Sequence, residues 1–309
     1  MEYHLLQRSR PWAWWRPLAG VLTLALGWQL VVPVILVLAF GAGIAVVGGD
    51  VTTTDLVDTS DPTPLTLAFL LIAGAAAIPA SWAASVLFHR LGLDWLSSVV
   101  GRLRWRWMLV CAGLSVVALA ATLFVNVLIP AQGTDVETTG QLVGLTSTTR
   151  DFVLVVVLLT PLQAAGEEYA FRGYLTQAFG GLFRSRWAAV VFPSVLFALA
   201  HGSQDAPVFV DRLAFGLVAG VLVIVTGGLE AGIAMHVLNN LLAFGLAVAF
   251  GDLGAALNPG EASWWNILVT LTRSLVYLAL AIWAARRLGL ATSTPPPGPA
   301  TLEAPERAV

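Results

Sequence analysis

The chain has 309 residues, 58% of them hydrophobic and only 11% charged, with a formal net charge of -2 and one cysteine. Soluble domains carry about a quarter charged residues, so this is a polytopic membrane protein, and it lacks the basic excess that a nucleic-acid partner calls for. Cys111, alone inside an apolar run, excludes a disulfide framework and a cysteine zinc cluster and reads as a small core residue.

In chain order, the first apolar stretch runs from Pro17 to Gly49, 33 residues, against about 7–15 for the apolar region of a signal peptide. Trp12, Trp14 and Trp15 with Arg8, Arg10 and Arg16 form an aromatic and basic collar before it. It reads as a retained membrane helix, with residues 1–16 as a cytoplasmic collar. Spanning segments are expected at about 18–48, 65–88, 107–130, 151–178, 187–203, 208–227, 229–250 and 264–285, each near the ~20 residues a crossing helix needs. The fold class is therefore all-α, a polytopic membrane helical bundle of about eight transmembrane helices. One transmembrane domain fills 17–290, its core lies at about 151–250, and 291–309, which opens on Thr-Ser-Thr-Pro-Pro-Pro-Gly-Pro-Ala after Ala291, is a disordered tail.

All 16 basic residues are Arg, which with the Ala, Gly, Val and Leu bias suggests a GC-rich, bacterial source. Arginines mark alternate loops: Arg8, Arg10 and Arg16; Arg90, Arg102, Arg104 and Arg106; Arg184 and Arg186; Arg286 and Arg287. The loop with Asp50, Asp55, Asp58 and Asp61 has none, and the loop with Asp135 and Glu137 has only Arg150. This pattern places both termini in the cytoplasm of a multi-pass protein of the cell membrane. Residues 91–107 mix Trp95, Leu96 and Val99 with Arg102, Arg104 and Arg106 and read as an amphipathic segment lying on lipid headgroups.

Polar residues on hydrophobic helices mark functional sites. Here Glu167-Glu168-Tyr169-Ala170-Phe171-Arg172, Phe197-Ala198-Leu199-Ala200-His201 and His236-Val237-Leu238-Asn239-Asn240 fall within 74 residues. Positions four apart share a helix face, which pairs His236 with Asn240 and Glu168 with Arg172. Glu167 and Glu168 splay by about 100°, so one aims at a given point: Glu167 takes the chemical role, with Glu168 supporting and Arg172 holding it. Glu167 lies 17 residues before Arg184 and His201 lies 17 after it, so a helical hairpin turning at Arg184 brings them to one level. His236, six residues past Glu230, reaches that level only if the fourth and fifth helices project well beyond the membrane. Phe197 packs under the site. His4 and His89 read as surface residues, Asp211 and Arg212 as interfacial charges, and Arg273 lies in the last helix without an assignable partner.

The EExxxR, FxxxH and HxxxN series resembles the CPBP family, which comprises type II CAAX prenyl endopeptidases and bacterial relatives linked to bacteriocin processing and immunity. The resemblance covers about 65–285 and is strongest over 160–245. It implies endopeptidase activity in a cavity open to the cytosol, acting on a peptide or membrane-protein substrate within the bilayer. The residues suit that chemistry: Glu167 takes a proton from water, His201 orients the water or shares the proton, and His236 and Asn240 donate to the oxyanion. No Ser or Cys nucleophile is needed, and beside a motif His only Ser203 offers one. The rival arrangement is a zinc site of Glu167, His201 and His236; the lack of HExxH and the presence of Asn240 favour a mechanism without a cofactor. A non-catalytic scaffold or immunity protein and a proton-coupled transporter are the alternative classes.

Overall fold

A computed structural model describes residues 1–48, 52, 54–128, 142–202, 204–251, 253–258 and 263–295. Among them there is no strand, only isolated pairings of Glu2 with Ser293 and Ser98 with Gly228. The long helices are α1 (Trp15–Val46), α2 (Pro64–His89), α3 (Trp105–Leu128), α4 (Ser147–Phe183), α5 (Arg186–Ala200), α6 (Ala206–Thr226), α7 (Glu230–Phe250) and α8 (Trp265–Arg287). Seven of these are long and apolar enough to cross a membrane, so the protein is a multi-pass helical bundle.

The exception corrects the expected eight crossings. The segment expected at 187–203 is a helix of 15 residues, about 22 Å at 1.5 Å per residue, short of the ~30 Å hydrocarbon core. Gly202, in the left-handed region at φ +80°, stops it just after His201, as such glycines commonly do. Its partner α4 has 37 residues, about 55 Å, far more than one crossing requires. The two form the hairpin, and Arg184 turns the chain in the left-handed conformation.

Core packing follows from the small residues. α4 lies between α2 and α7, α7 also packs on α3, and α6 lies between α5 and α8. At the α2–α4 crossing, a side-chain carbon on Gly166 would sit 2.3 Å from the carbonyl oxygen of Gly74. Only two glycines let these helices touch backbone to backbone, and the contact lies one residue from Glu167.

The end of the bundle that carries the termini is closed by a plug. Residues 91–107, expected to lie on lipid headgroups, pack one face into this end of the bundle while Arg102, Trp105 and Arg106 stay exposed. Leu91, Leu96 and Val99 are fully buried, the Val99 N–H donates to the Gly227 carbonyl at 2.8 Å, and the Leu229 N–H donates to Ser97 at 2.9 Å. Arg104 holds Glu230, the first residue of α7, through Nε to Oε1 at 2.8 Å and Nη2 to Oε2 at 2.7 Å. A carboxylate at a helix N-terminus also meets the favourable end of the helix dipole. His4 and His89, expected at the surface, are both buried; the His89 ring nitrogen lies 3.1 Å from the Tyr174 hydroxyl, a partner that only the tertiary fold supplies. Arg186 grips Glu2, its Nε donating to Oε2 at 2.8 Å, and holds that carboxyl below its ordinary range. The expected tail begins with an ordered contact, the Thr294 N–H to the Met1 carbonyl at 2.9 Å; from residue 296 it lies outside the described residues.

Candidate active site

A cavity of about 480 Å³ opens between α2, α4, α5, α6, α7 and α8. Glu167, Phe197, His201, His236 and Asn240 line it. Glu168 and Arg172 do not: they are 0% and 1% exposed and stand behind the cavity wall. The splay of adjacent helical positions separates the two carboxylates, one turned to the cavity and one turned into protein. From Glu168 to Leu175 the helix widens to a π-helical turn, a feature often found at functional sites. Thr176 caps one loosened carbonyl there, its hydroxyl donating to Phe171 at 3.2 Å.

Glu168 is held from two sides. Its Oε1 lies 3.1 Å from Arg172 Nη1 and accepts from His236 Nδ1 at 2.9 Å. An arginine is always charged, and its pairing keeps Glu168 an acceptor, so His236 must carry its proton on Nδ1. The other ring nitrogen, Nε2, then faces Glu167 Oε2 at 3.6 Å. The Arg172 guanidinium is within ion-pair range but not aligned for a hydrogen bond. Aromatic faces take up the rest: its carbon lies 4.2 Å from the centroid of Phe197 and 5.8 Å from that of Phe215, in cation–π range.

Phe197 joins both halves. Its ring meets those of His201 at 4.7 Å and His236 at 6.1 Å, edge to face, and its carbonyl lies 2.8 Å from His201 Nδ1. That carbonyl can only accept, so His201 donates from Nδ1 and leaves its other ring nitrogen, Nε2, for the cavity. Gln163, which the motif reading passed over, ties the remaining residues together. Its Nε2 donates to Glu167 Oε1 at 2.6 Å and its Oε1 accepts from Asn240 Nδ2 at 3.0 Å. Its place four residues before Glu167 was the available signal.

The charges expected at the interface belong to this cavity. Asp211, Arg212 and Arg273 line it. Arg273, whose partner the sequence did not name, interacts electrostatically with Asp211 and donates from Nη2 to Thr270 Oγ1 at 3.3 Å. Arg212 donates to Gln204, whose own amide binds the Ala198 carbonyl at 2.6 Å. Ser203, the only serine candidate, lies outside the described residues. The rival metal set, Glu167, His201 and His236, lines the cavity, but no group of three His, Cys, Asp or Glu among the described residues can hold a metal ion as placed. His236 Nδ1 and His201 Nδ1 are both committed elsewhere.

Thr59, Ala256 and Leu257 also line the cavity; Ala256 is exposed and Thr59 half-buried. They stand at the end of the bundle opposite the termini.

Residues 149–242 match the family described as type II CAAX prenyl endopeptidase Rce1-like. That span is under a third of the chain and contains all three motifs, so the resemblance read from them holds. A stretch of 138 residues is 26% identical to the uncharacterized protein YyaK of Bacillus subtilis (strain 168), covering 41% of this chain and 46% of that protein. The chain thus spans about half the length of the curated relative it matches. No solved structure matches it.

Proposed function

We propose that the chain is an intramembrane endopeptidase that hydrolyses peptide bonds with a water activated by Glu167, without a metal. The observation that carries this reading is the pairing of one cavity-facing carboxylate, Glu167, with one walled-off carboxylate, Glu168, on either side of His236. Two carboxylates in different surroundings take different tasks. Here the buried one orients an imidazole and the accessible one handles protons.

Glu167, steadied by Gln163, removes a proton from water held against the free Nε2 of His201. The hydroxide adds to the peptide carbonyl carbon and the carbonyl oxygen becomes an oxyanion. Asn240 has one amide hydrogen bound to Gln163 and a second free to donate to that oxygen. His236, held at Nδ1 by Glu168, presents its Nε2 as the second donor to that oxygen. Removing a single oxyanion donor typically costs about 3–4 kcal/mol of transition-state stabilisation. As the intermediate collapses, the carbon–nitrogen bond breaks and the protonated Glu167 gives its proton to the leaving amine, which restores the site.

The test is cleavage of a quenched fluorescent peptide library, lipidated C-terminal peptides included, by detergent-purified protein. Wild type is compared with Glu167→Ala, His201→Ala and His236→Ala, with and without a zinc chelator. Cleavage lost in all three variants and retained under chelation is expected. Cleavage lost to chelation and restored by zinc would move Glu167, His201 and His236 into a metal site. Intact cellular function in Glu167→Ala would instead favour a scaffold.

A further inference from the structure

Besides the residues placed in the reaction, three charged side chains line the cavity: Asp211 and Arg212 on α6 and Arg273 on α8. These two helices pack on each other, so the charges share one wall. Much of the remaining lining is apolar, with Leu67, Leu70 and Leu71 from α2 and Phe244 from α7. Ionisable residues on membrane-spanning helices are costly and normally take partners. Among the described residues, neither Arg212 nor Arg273 is in ion-pair contact with a carboxylate.

Arg212 is tied at one nitrogen only. Its Nη1 donates to Gln204 Oε1, and Gln204 Nε2 donates in turn to the Ala198 carbonyl at 2.6 Å. A guanidinium carries five N–H donors in a planar fork, so most of that fork is left for another acceptor. None of the Arg212 nitrogens is among the buried atoms without a partner; the unused donors face open space rather than protein. Arg273 differs. Its Nη2 reaches Thr270, its charge meets that of Asp211, and its Nε is buried without a partner. It adds a second positive charge to the same wall. Arg212 also interacts electrostatically with Glu167 and His201, so a group held on its fork lies near the reacting carbonyl.

A carboxylate matches a guanidinium fork, because its two oxygens accept two parallel hydrogen bonds. We propose that Arg212 is a specificity-determining residue that binds a carboxylate of the substrate close to the cleaved bond. The acidic part of the substrate then turns to the α6–α8 wall. That carboxylate belongs to an acidic side chain or to a free chain terminus. The carboxylate site stands on the cavity wall alone, and its use in cleavage rests on the peptidase reading.

The test uses pairs of alanine–leucine peptides that differ in one group. One series sets Asp against Asn at each position in turn, with an amidated terminus. The other sets a free against an amidated carboxyl terminus, with no acidic side chain. Binding is measured in detergent on the Glu167→Gln chain, and cleavage on the chain with Glu167 intact. The acidic member of at least one pair should bind about 10–100-fold more tightly, the range for hydrogen bonds to a charged group. Arg212→Gln should abolish that preference. Arg212→Lys, which keeps the charge but loses the fork, should leave an intermediate ratio, and Arg212→Glu should prefer a peptide with Lys in place of Asp. The series that responds identifies the carboxylate as side chain or terminus. Equal binding within every pair overturns the inference, and so does an acid preference that survives Arg212→Gln. If the chain cleaves no peptide, the peptidase reading fails while the binding ratio still decides the role of Arg212. If it cleaves acidic and neutral members alike and binds them alike, the inference fails alone.

Discussion

Glu168 Oε1 accepts a hydrogen bond from His236 Nδ1 at 2.9 Å across the α4–α7 contact. This one bond joins two sequence motifs 68 residues apart and fixes which histidine nitrogen faces the cavity. The same oxygen is paired with Arg172, so the side chain that orients the histidine is itself fixed from within its own helix. Orientation of a catalytic imidazole by a buried carboxylate is the logic of hydrolytic triads, in which the acid holds the tautomer and leaves proton transfer to other groups.

Replacing Glu167 by Gln should lower peptide cleavage by about 10²–10⁴-fold, the usual range for loss of a general base, with little change in melting temperature. Gln can still accept the Gln163 bond, so folding is preserved. Initial rates and thermal unfolding of the same preparation check both halves of this expectation.

Arg172→Ala should behave in the opposite way. It leaves Glu168 fully buried with only the His236 hydrogen bond, and breaking a buried ion pair in this manner costs about 3–5 kcal/mol. Large loss of thermal stability in detergent is the readout. The double replacement Glu168→Gln with Arg172→Met should recover much of that stability without recovering full activity, because His236 then lacks its anionic partner.

Gly232 faces Glu168, and a side-chain carbon there would meet Oε2 at 2.7 Å. Gly232→Ala should therefore push the carboxylate off His236. Overpacking of this kind costs about 1–3 kcal/mol. Unlike Arg172→Ala, it should lower kcat more than its stability change alone explains, measured at a temperature where the variant is fully folded.

Gln163 bridges Glu167 and Asn240, and it acts by positioning rather than by touching the reacting atoms. A double-mutant cycle of Gln163→Ala and Asn240→Ala on kcat/KM should give a coupling of about 0.5–3 kcal/mol, the range for residues in direct contact. Additive losses would show that the two act independently. A shifted pH–rate profile for Gln163→Ala, absent in a purely structural variant such as Cys111→Ser, would mark its influence on Glu167.

Much of this arrangement was legible in the sequence because it is local. Composition and apolar run lengths gave the class, since a bilayer demands long apolar helices whatever their partners. Spacing of four put Glu168 beside Arg172, and equal distances from Arg184 set Glu167 and His201 at one level, because a helical hairpin keeps register from its turn. What periodicity could not supply was how distant helices cross and where each one ends. The glycine contact at Gly74 and Gly166 sets the height of α2 against the site, and Gly202 leaves α5 short of a full crossing. The burial of His4 and His89, the partner of Arg273, the bridging role of Gln163 and the folding-in of residues 91–107 as a plug all depend on those crossings. The cavity does too: only the packing of helices brought together from across the chain decides where space is left between them.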